Sequence, residues 1–377
     1  EEKNDHECIE GTWVFQEETK CLEEGLAKLV CNECGETIEV AVKKKSHSIT
    51  IEEKEATCSE DGYYLEKCAG CDYEYLINYE KTGKHKYYYE IYTEATDNEL
   101  GIKQQICETC KYEGKIVKYA NNGFSDHGEL SVVGPDLVDE KGEKFQLIGI
   151  STHGLQWYSQ YVNYDTFDAV HNEFGFNAIR LALCTAEGGY CEADPGRKEL
   201  LYQKVVEGIK VATALDMYVI VDWHMVGAED PNDKNPMYYK DEAMEFFGRI
   251  TKEFKDYKNV LYEIMNEPNG DTTWAACKNY ANLVIPVIRE NTNGIVLVGN
   301  PHWTANLNVV MKDPLQGYEN IMYTYHFYAN GHTNQDQVKK AYDSGFPVFI
   351  SEHGGMESSG DGPMNYTSIE RWYEVLD

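Results

Sequence analysis

From Leu130 onward the chain alternates between two hydrophobic patterns. Short apolar runs, often β-branched, fall at 145–151, 178–183, 218–222, 260–265, 294–298, 321–326 and 348–352. Between them, 199–215, 240–254 and 273–290 carry apolar residues at helical spacing. Continuous apolar strands alternating with helices predict a parallel sheet whose faces are covered by helices. Ahead of these, LSVVGPDLVDEKGEKFQ predicts a small hairpin with Gly142 at its turn, plugging the base of a barrel. Seven strands are legible, and 25 residues follow Glu352, room for a loop and one helix. A complete (β/α)₈ barrel needs a further strand and helix. The expectation is therefore a TIM-type barrel that stops before its eighth strand, leaving two unpaired sheet edges.

Residues 1–117 follow a different pattern. Cys21, Cys31, Cys34 and His47 are spaced C-x9-C-x2-C-x12-H, and Cys58, Cys68, Cys71 and His85 repeat this with one more residue before the His. A glycine follows the first Cys by four residues in both copies (Gly25, Gly62). A third copy keeps Gly101, Cys107 and Cys110 but has Asp97 for the first Cys and no His at the expected distance. His6 reads as the tail of a preceding copy, and Cys8 has no place in the pattern. A period of 37 to 39 residues means an array of small units, each too short to bury a core without a staple. Three thiolates and an imidazole make a tetrahedral zinc set, whereas three Cys pair badly as disulfides within a unit. Structural zinc, with four protein ligands and no open position, is the favoured expectation for each zinc-ribbon-like unit; disulfides are the alternative. Residues 118–128 (KYANNGFSDHG) have the polar, Asn/Gly-rich character of a linker to the barrel domain, 129–377.

Composition narrows the partners. The chain carries 34 Lys+Arg against 65 Asp+Glu, a net charge of −31, which repels phosphate backbones and anionic lipid. Nucleic-acid and membrane partners are thereby disfavoured, and no apolar run is long enough to span a bilayer. The chain opens EEKNDHE with neither initiator Met nor leader, as expected where a leader has been removed or the chain starts internally.

Chemistry-bearing residues concentrate at the strand ends: Arg180 in the second, Asp222 and His224 in the third, Asn266 and Glu267 in the fourth, His326 and Tyr328 in the sixth, Glu352 in the seventh. In a barrel these ends converge on one face, where active sites form. The segments GISTHGLQWY, NAIRLAL, IVDWHM, YEIMNEPNG, YTYHFYAN and FISEHGG resemble the successive motifs of glycoside hydrolase family 5, in its bacterial endoglucanase branch, over about residues 128–377. The resemblance implies Glu267 as acid/base and Glu352 as nucleophile. It gives Arg180 and Tyr328 the task of holding Glu352, Asn266 a contact to the sugar 2-hydroxyl, and His224 and His326 the orientation of substrate and carboxyls. Ionised Glu352 is expected to raise the pKa of Glu267. Trp157 and Trp303, with His153 and Tyr190, match the family's sugar-binding positions. No cofactor is implied for catalysis. No counterpart is found to the substrate-binding Trp normally brought by the eighth strand. Cys184 and Cys191 flank a loop and could pair or stay free, while Cys277 reads as a buried helix residue.

The implied activity is hydrolysis of internal β-1,4 bonds of a β-glucan with retention, by a secreted or surface-displayed protein. The alternatives are a mannanase or other β-glycanase of the same fold, or a non-catalytic carbohydrate-binding or scaffold protein. No partner of the N-terminal array can be read from the residues.

Overall fold

The computed structural model describes residues 11–376 except 18–20, 22–23, 33–34, 44–45, 97–99 and 227–230. Two compact units result, one of residues 1–90 with 104–116 and one of residues 91–103 with 117–377.

Each N-terminal repeat is a three-stranded sheet in sequence order: Gly11–Glu17, Gly25–Cys31 and Thr37–Val42; Ile49–Lys54, Gly62–Cys68 and Glu74–Tyr79; Tyr87–Thr93, Gly101–Cys107 and Glu113–Tyr119. The middle strand runs from the repeat's glycine to the first Cys of its C-x2-C pair. That glycine is there for close approach: a Cβ on Gly62 would collide with Ala56 N and Lys54 O. The sheets bury little. Both outer strands of the second one, Ile49–Lys54 and Glu74–Tyr79, are exposed along their whole length.

The barrel consists of β1 (Gly149–Ser151), β2 (Ala178–Cys184), β3 (Tyr218–His224), β4 (Val260–Glu263), β5 (Val296–Val298), β6 (Ile321–Tyr328) and β7 (Val348–Gly354), parallel and in sequence order. The helices include α1 (Pro195–Ala214), α2 (Lys240–Glu253) and α3 (Trp274–Arg289). Asp194 caps α1 by accepting from Gly196 N and Arg197 N, with Pro195 in its first turn, and Thr273 caps α3 by accepting from Ala276 N. Strands β2 and β4 are wholly buried, whereas β7 is half-buried and Ile148, just before β1, and Ile150, within it, are 49% and 48% exposed. Among the described residues, β1 and β7 have no strand on their outer sides.

Two apolar cores flank the sheet. One fills the space between strands and helices. The other lies in the lower barrel interior, where Leu130 and Leu137 pack on Ala178, Tyr218, Ile220, Leu261, Leu297 and Met322. These two leucines sit on the expected hairpin, Ser131–Val133 paired with Asp136–Val138, so it does plug the base. Its tight turn is at Gly134 (φ 62°), not at Gly142, which makes the next bend at φ 81°. A two-residue Gly-Pro loop needs positive φ at its first position, and only Gly134 supplies it there. The run at 145–151 yields a strand only at its end, because Phe145 and Leu147 join the plug.

Candidate active site

Above the plug the barrel axis turns polar, and Arg180 organises it. At 3% exposure its guanidinium donates from Nε to Glu263 Oε2 (2.7 Å), from Nη2 to Asn266 Oδ1 (2.7 Å), and from Nη1 to Glu352 Oε2 (3.2 Å) and Ser151 Oγ (3.3 Å). Nη2 is also 2.9 Å from Asp222 Oδ2, which lies 2.7 Å from His224 Nδ1. One rigid fork on β2 thus binds groups on β1, β3, β4 and β7, which an ammonium could not span.

The carboxyls above it are held on two sides. Tyr328 donates to Glu352 Oε1 at 2.6 Å, and His326 Nδ1 lies 2.8 Å from Glu267 Oε1. His326 Nε2 meets Ser351 Oγ at 2.8 Å, and Ser351 donates to Glu263 Oε1 at 2.7 Å. A carboxylate oxygen of Glu267, one of Glu352 and a ring nitrogen of His326 all lie within 4.8 Å of one another. Those atoms are donors that a metal could use, but Arg180, Tyr328 and His326 already engage them, which suits acid–base use. Glu267 and Glu352 remain 14% and 20% exposed and so face the open end.

A bulge makes this possible. Thr324 pairs with Phe349 and His326 with Glu352, so β7 carries one extra residue across that step. In a regular strand Ser351 and Glu352 would point to opposite faces. With the bulge both turn toward the axis, Ser351 to the lower network and Glu352 to Arg180 and Tyr328.

Burial pushes the Glu352 carboxyl up, but His326, Arg180, His224 and the Tyr328 hydrogen bond outweigh it and hold the group at about 2. Burial likewise opposes ionisation of Glu263, and Arg180 and His326 hold it at about 2. For His326 burial works downward, yet Glu263 and Glu267 raise it to about 10. The carboxylates, lowered on folding, stabilise the fold fully above their ordinary 4.5 and lose that contribution as pH falls toward 2. His326, raised on folding, stabilises fully below its ordinary 6.5 and loses that contribution as pH rises toward 10. Thermal midpoints measured against pH are expected to crest between 4.5 and 6.5. The alkaline slope should flatten in His326→Gln; a slope unchanged in that variant would remove His326 as its source.

The other expected binding residues separate. Trp157 and Trp303 are 46% and 53% exposed on loops after β1 and β5, and His153 packs on Trp157 with centroids 5.4 Å apart. Trp303 sits in a run of three left-handed residues, His302, Trp303 and Thr304, with φ of 63°, 53° and 55°. Trp303 N donates to Pro268 O (3.1 Å) and Thr304 Oγ1 to Asn266 O, tying this strained turn to the segment that carries Glu267. Tyr190 is a correction. It is 3% exposed, edge-on to Trp223 and Phe246, and therefore a core ring rather than a sugar platform. Cys184 and Cys191 are free thiols, and Cys277 is fully buried in α3.

Glu263 and Ser351 were not singled out from the sequence. Glu263 had a signal, a carboxylate inside the apolar run 260–265 that could be buried only with a cationic partner. Ser351 had none, because its inward orientation depends on the bulge.

The zinc sets expected within each repeat are also corrected. Cys21 and His47 converge with Cys68 and Cys71, and Cys58 and His85 converge with Cys107 and Cys110. Cys31 is disulfide-bonded and joins neither set, and Cys34 lies outside the described residues. The reason is length. A seven-residue strand separates the loop holding the first Cys from the loop holding the C-x2-C pair, which places them roughly 20 Å apart.

A parallel barrel with two carboxyl groups facing each other at the strand ends, over a buried arginine, defines the TIM-barrel glycoside hydrolases as a class. The model of the cellulase family, glycosyl hydrolase family 5, matches residues 138–377, and the chain belongs to that family. It is 45% identical to endoglucanase A of Butyrivibrio fibrisolvens over 66% of this chain and 57% of that protein. It is 41% identical to an endoglucanase of Clostridium saccharobutylicum over 66% and 54%. The chain thus spans little more than half the length of these relatives. The catalytic domain of Thermobifida fusca endoglucanase Cel5A aligns with a TM-score of 0.62 at 34% identity, over 67% of this chain and 82% of that one. A Glu-to-Gln variant of that domain has also been solved in complex with cellotetraose. No described helix is long and apolar enough to cross a membrane.

Proposed function

We propose that the protein is a retaining endo-β-1,4-glucanase, acting outside the cell, where a polymer too large to cross a membrane is found. The observation that carries this is the approach of Glu267 and Glu352, with carboxylate oxygens within 4.8 Å. Retention needs carboxyls about 5–5.5 Å apart, whereas inversion needs a wider gap to admit water. Glu352, held ionised, attacks the anomeric carbon while Glu267 gives its proton to the leaving glycosidic oxygen. Glu267 then takes a proton from water, whose oxygen displaces Glu352 and restores both groups. His326 donates to Oε1 of Glu267, which leaves Oε2 to carry the transferred proton. Asn266 has its oxygen on Arg180 and one N–H on Met225 O, so its second N–H is the one available to a sugar 2-hydroxyl. Trp157 and Trp303 offer faces to pyranose C–H groups.

The relatives' endoglucanase activity and the cellotetraose complex favour glucan over mannan. Proton NMR of the first products from a soluble β-glucan tests the proposal. The β-anomer is expected to appear first, with slower turnover of mannan and xylan. Initial α-anomer would mean inversion and sink the covalent route; preference for mannan would overturn the substrate assignment; no turnover of any polymer would favour a binding protein.

We infer as well that the two sets of three Cys and one His in the array hold structural zinc. Tetrahedral bonds of about 2.3 Å to sulfur and 2.0–2.1 Å to nitrogen put sulfurs about 3.8 Å apart and sulfur and nitrogen about 3.6 Å apart. The Cys21–Cys68 and Cys58–Cys107 sulfurs are 3.4 and 3.7 Å apart, and Cys71–His47 and Cys110–His85 are 3.4 and 3.3 Å. The two sulfur–sulfur separations are too long for a disulfide.

A further inference from the structure

We infer that each metal is shared between consecutive modules, so that zinc fixes the joints of the array rather than the interior of any one module. This rests on the zinc reading above and goes beyond it. In the first set, Cys21 comes from the loop between the first two strands of one module. Cys68 and Cys71 come from the far loop of the next module, and His47 from the segment joining the two. The second set repeats the plan with Cys58, then His85 in the joining segment, then Cys107 and Cys110. Its surroundings repeat too. His47 packs on Tyr73 and His85 on Tyr112, each tyrosine two residues beyond its C-x2-C pair, with centroids 4.8 Å apart in both. Two independent occurrences of one arrangement argue against a chance approach of thiols.

The scheme accounts for the irregular third repeat. A module's near-loop Cys serves the module that follows it. No fourth C-x2-C follows Cys107 and Cys110 at the repeat spacing, and the position of that Cys in the third repeat holds Asp97. Asp97 in place of a Cys is the expected form of a module with no such pair after it to join.

It also says what the metal does. The modules bury few side chains, with Leu65 and the ligands Cys58 and Cys68 among the buried ones. Modules that bury so little cannot hold an angle between them by apolar packing alone. Four bonds to one ion can, because zinc demands tetrahedral placement of all four donors. With zinc the array is a stiff spacer; without it, a chain of loosely tethered sheets.

The test uses the whole chain and counts ions by native mass spectrometry in the presence of zinc alone. Sharing predicts that Cys21→Ser with Cys71→Ser removes one ion relative to the unsubstituted chain, because both serve the same site. It predicts that Cys58→Ser with Cys71→Ser removes two. Sets confined within a repeat predict the reverse, two and one, and that result would overturn the sharing while leaving zinc in place. Absence of zinc from the unsubstituted chain would instead overturn the zinc reading itself. For the mechanical consequence, small-angle scattering should show a larger and more variable maximum dimension after chelation; a profile unchanged by chelation would rule out the metal as the fixer of the joints.

Discussion

Replacing Glu352 with Gln is expected to lower kcat on a soluble β-glucan by about 10⁴-fold, with the fold retained. The amide nearly matches the carboxylate in shape and can still accept from Tyr328, which donates to Glu352 at 2.6 Å. Arg180 keeps its other partners, Glu263 and Asp222 among them. What is lost is the negative oxygen that the proposed mechanism bonds to the anomeric carbon. Azide supplies the check on roles. Added to Glu352→Ala it should restore turnover and give the α-glycosyl azide, since one external attack inverts the centre. Added to Glu267→Ala it should give the β-azide, because attack there follows an attack by Glu352. A Glu352→Gln enzyme within tenfold of the parent would refute its role as nucleophile, and exchanged azide configurations would reverse the two assignments.

Removing Arg180 should have the largest effect on stability. Arg180→Met leaves Asp222 and Glu263, both fully buried, without the guanidinium they share, with only His224 beside the first and His326 beside the second. Deleting one partner of a buried ion pair costs about 3–5 kcal/mol, which for a domain of this size is a fall of roughly 10 °C in Tm. The acid side of the pH response should also weaken. In the parent, Arg180 and His326 hold the buried Glu263 at about 2, so acid destabilises. Without the guanidinium, burial is opposed by His326 alone and the carboxyl's folded pKa rises from there toward its ordinary 4.5. The variant should then gain stability relative to the parent as pH falls through that range. Arg180→Lys should fall between, because one ammonium cannot reach five partners at once. A Met variant within about 1 kcal/mol of the parent in denaturant melts would show that the network contributes little net stability.

Much of this was legible in the residues because barrels are periodic. Apolar runs marked β2 to β7, and carboxylates, histidines and an arginine at the run ends had to meet on one face, since parallel strands bring like ends together. That rule brings Arg180 and Glu352 to one rim, and their contact is what the resemblance to the family implied. Trp157 and Trp303, which lie beyond strand ends, are exposed. Tyr190 sat in an equally promising loop, yet its ring turned inward against Trp223 and Phe246, a choice made by packing that no spacing encodes.

By itself, then, the sequence determined the number and order of the barrel strands, the two carboxyls and the existence of a Cys/His repeat, because each depends on contacts local along the chain or fixed by strand direction. Tertiary structure alone decided three things. The bulge in β7 turned Ser351 and Glu352 to the same side. The hairpin closed at Gly134 rather than Gly142, where the loop length required a left-handed residue. The metal-ligand sets formed across modules, since a fully extended strand holds the two ends of one repeat too far apart to share an ion, while the next module brings its own donors alongside.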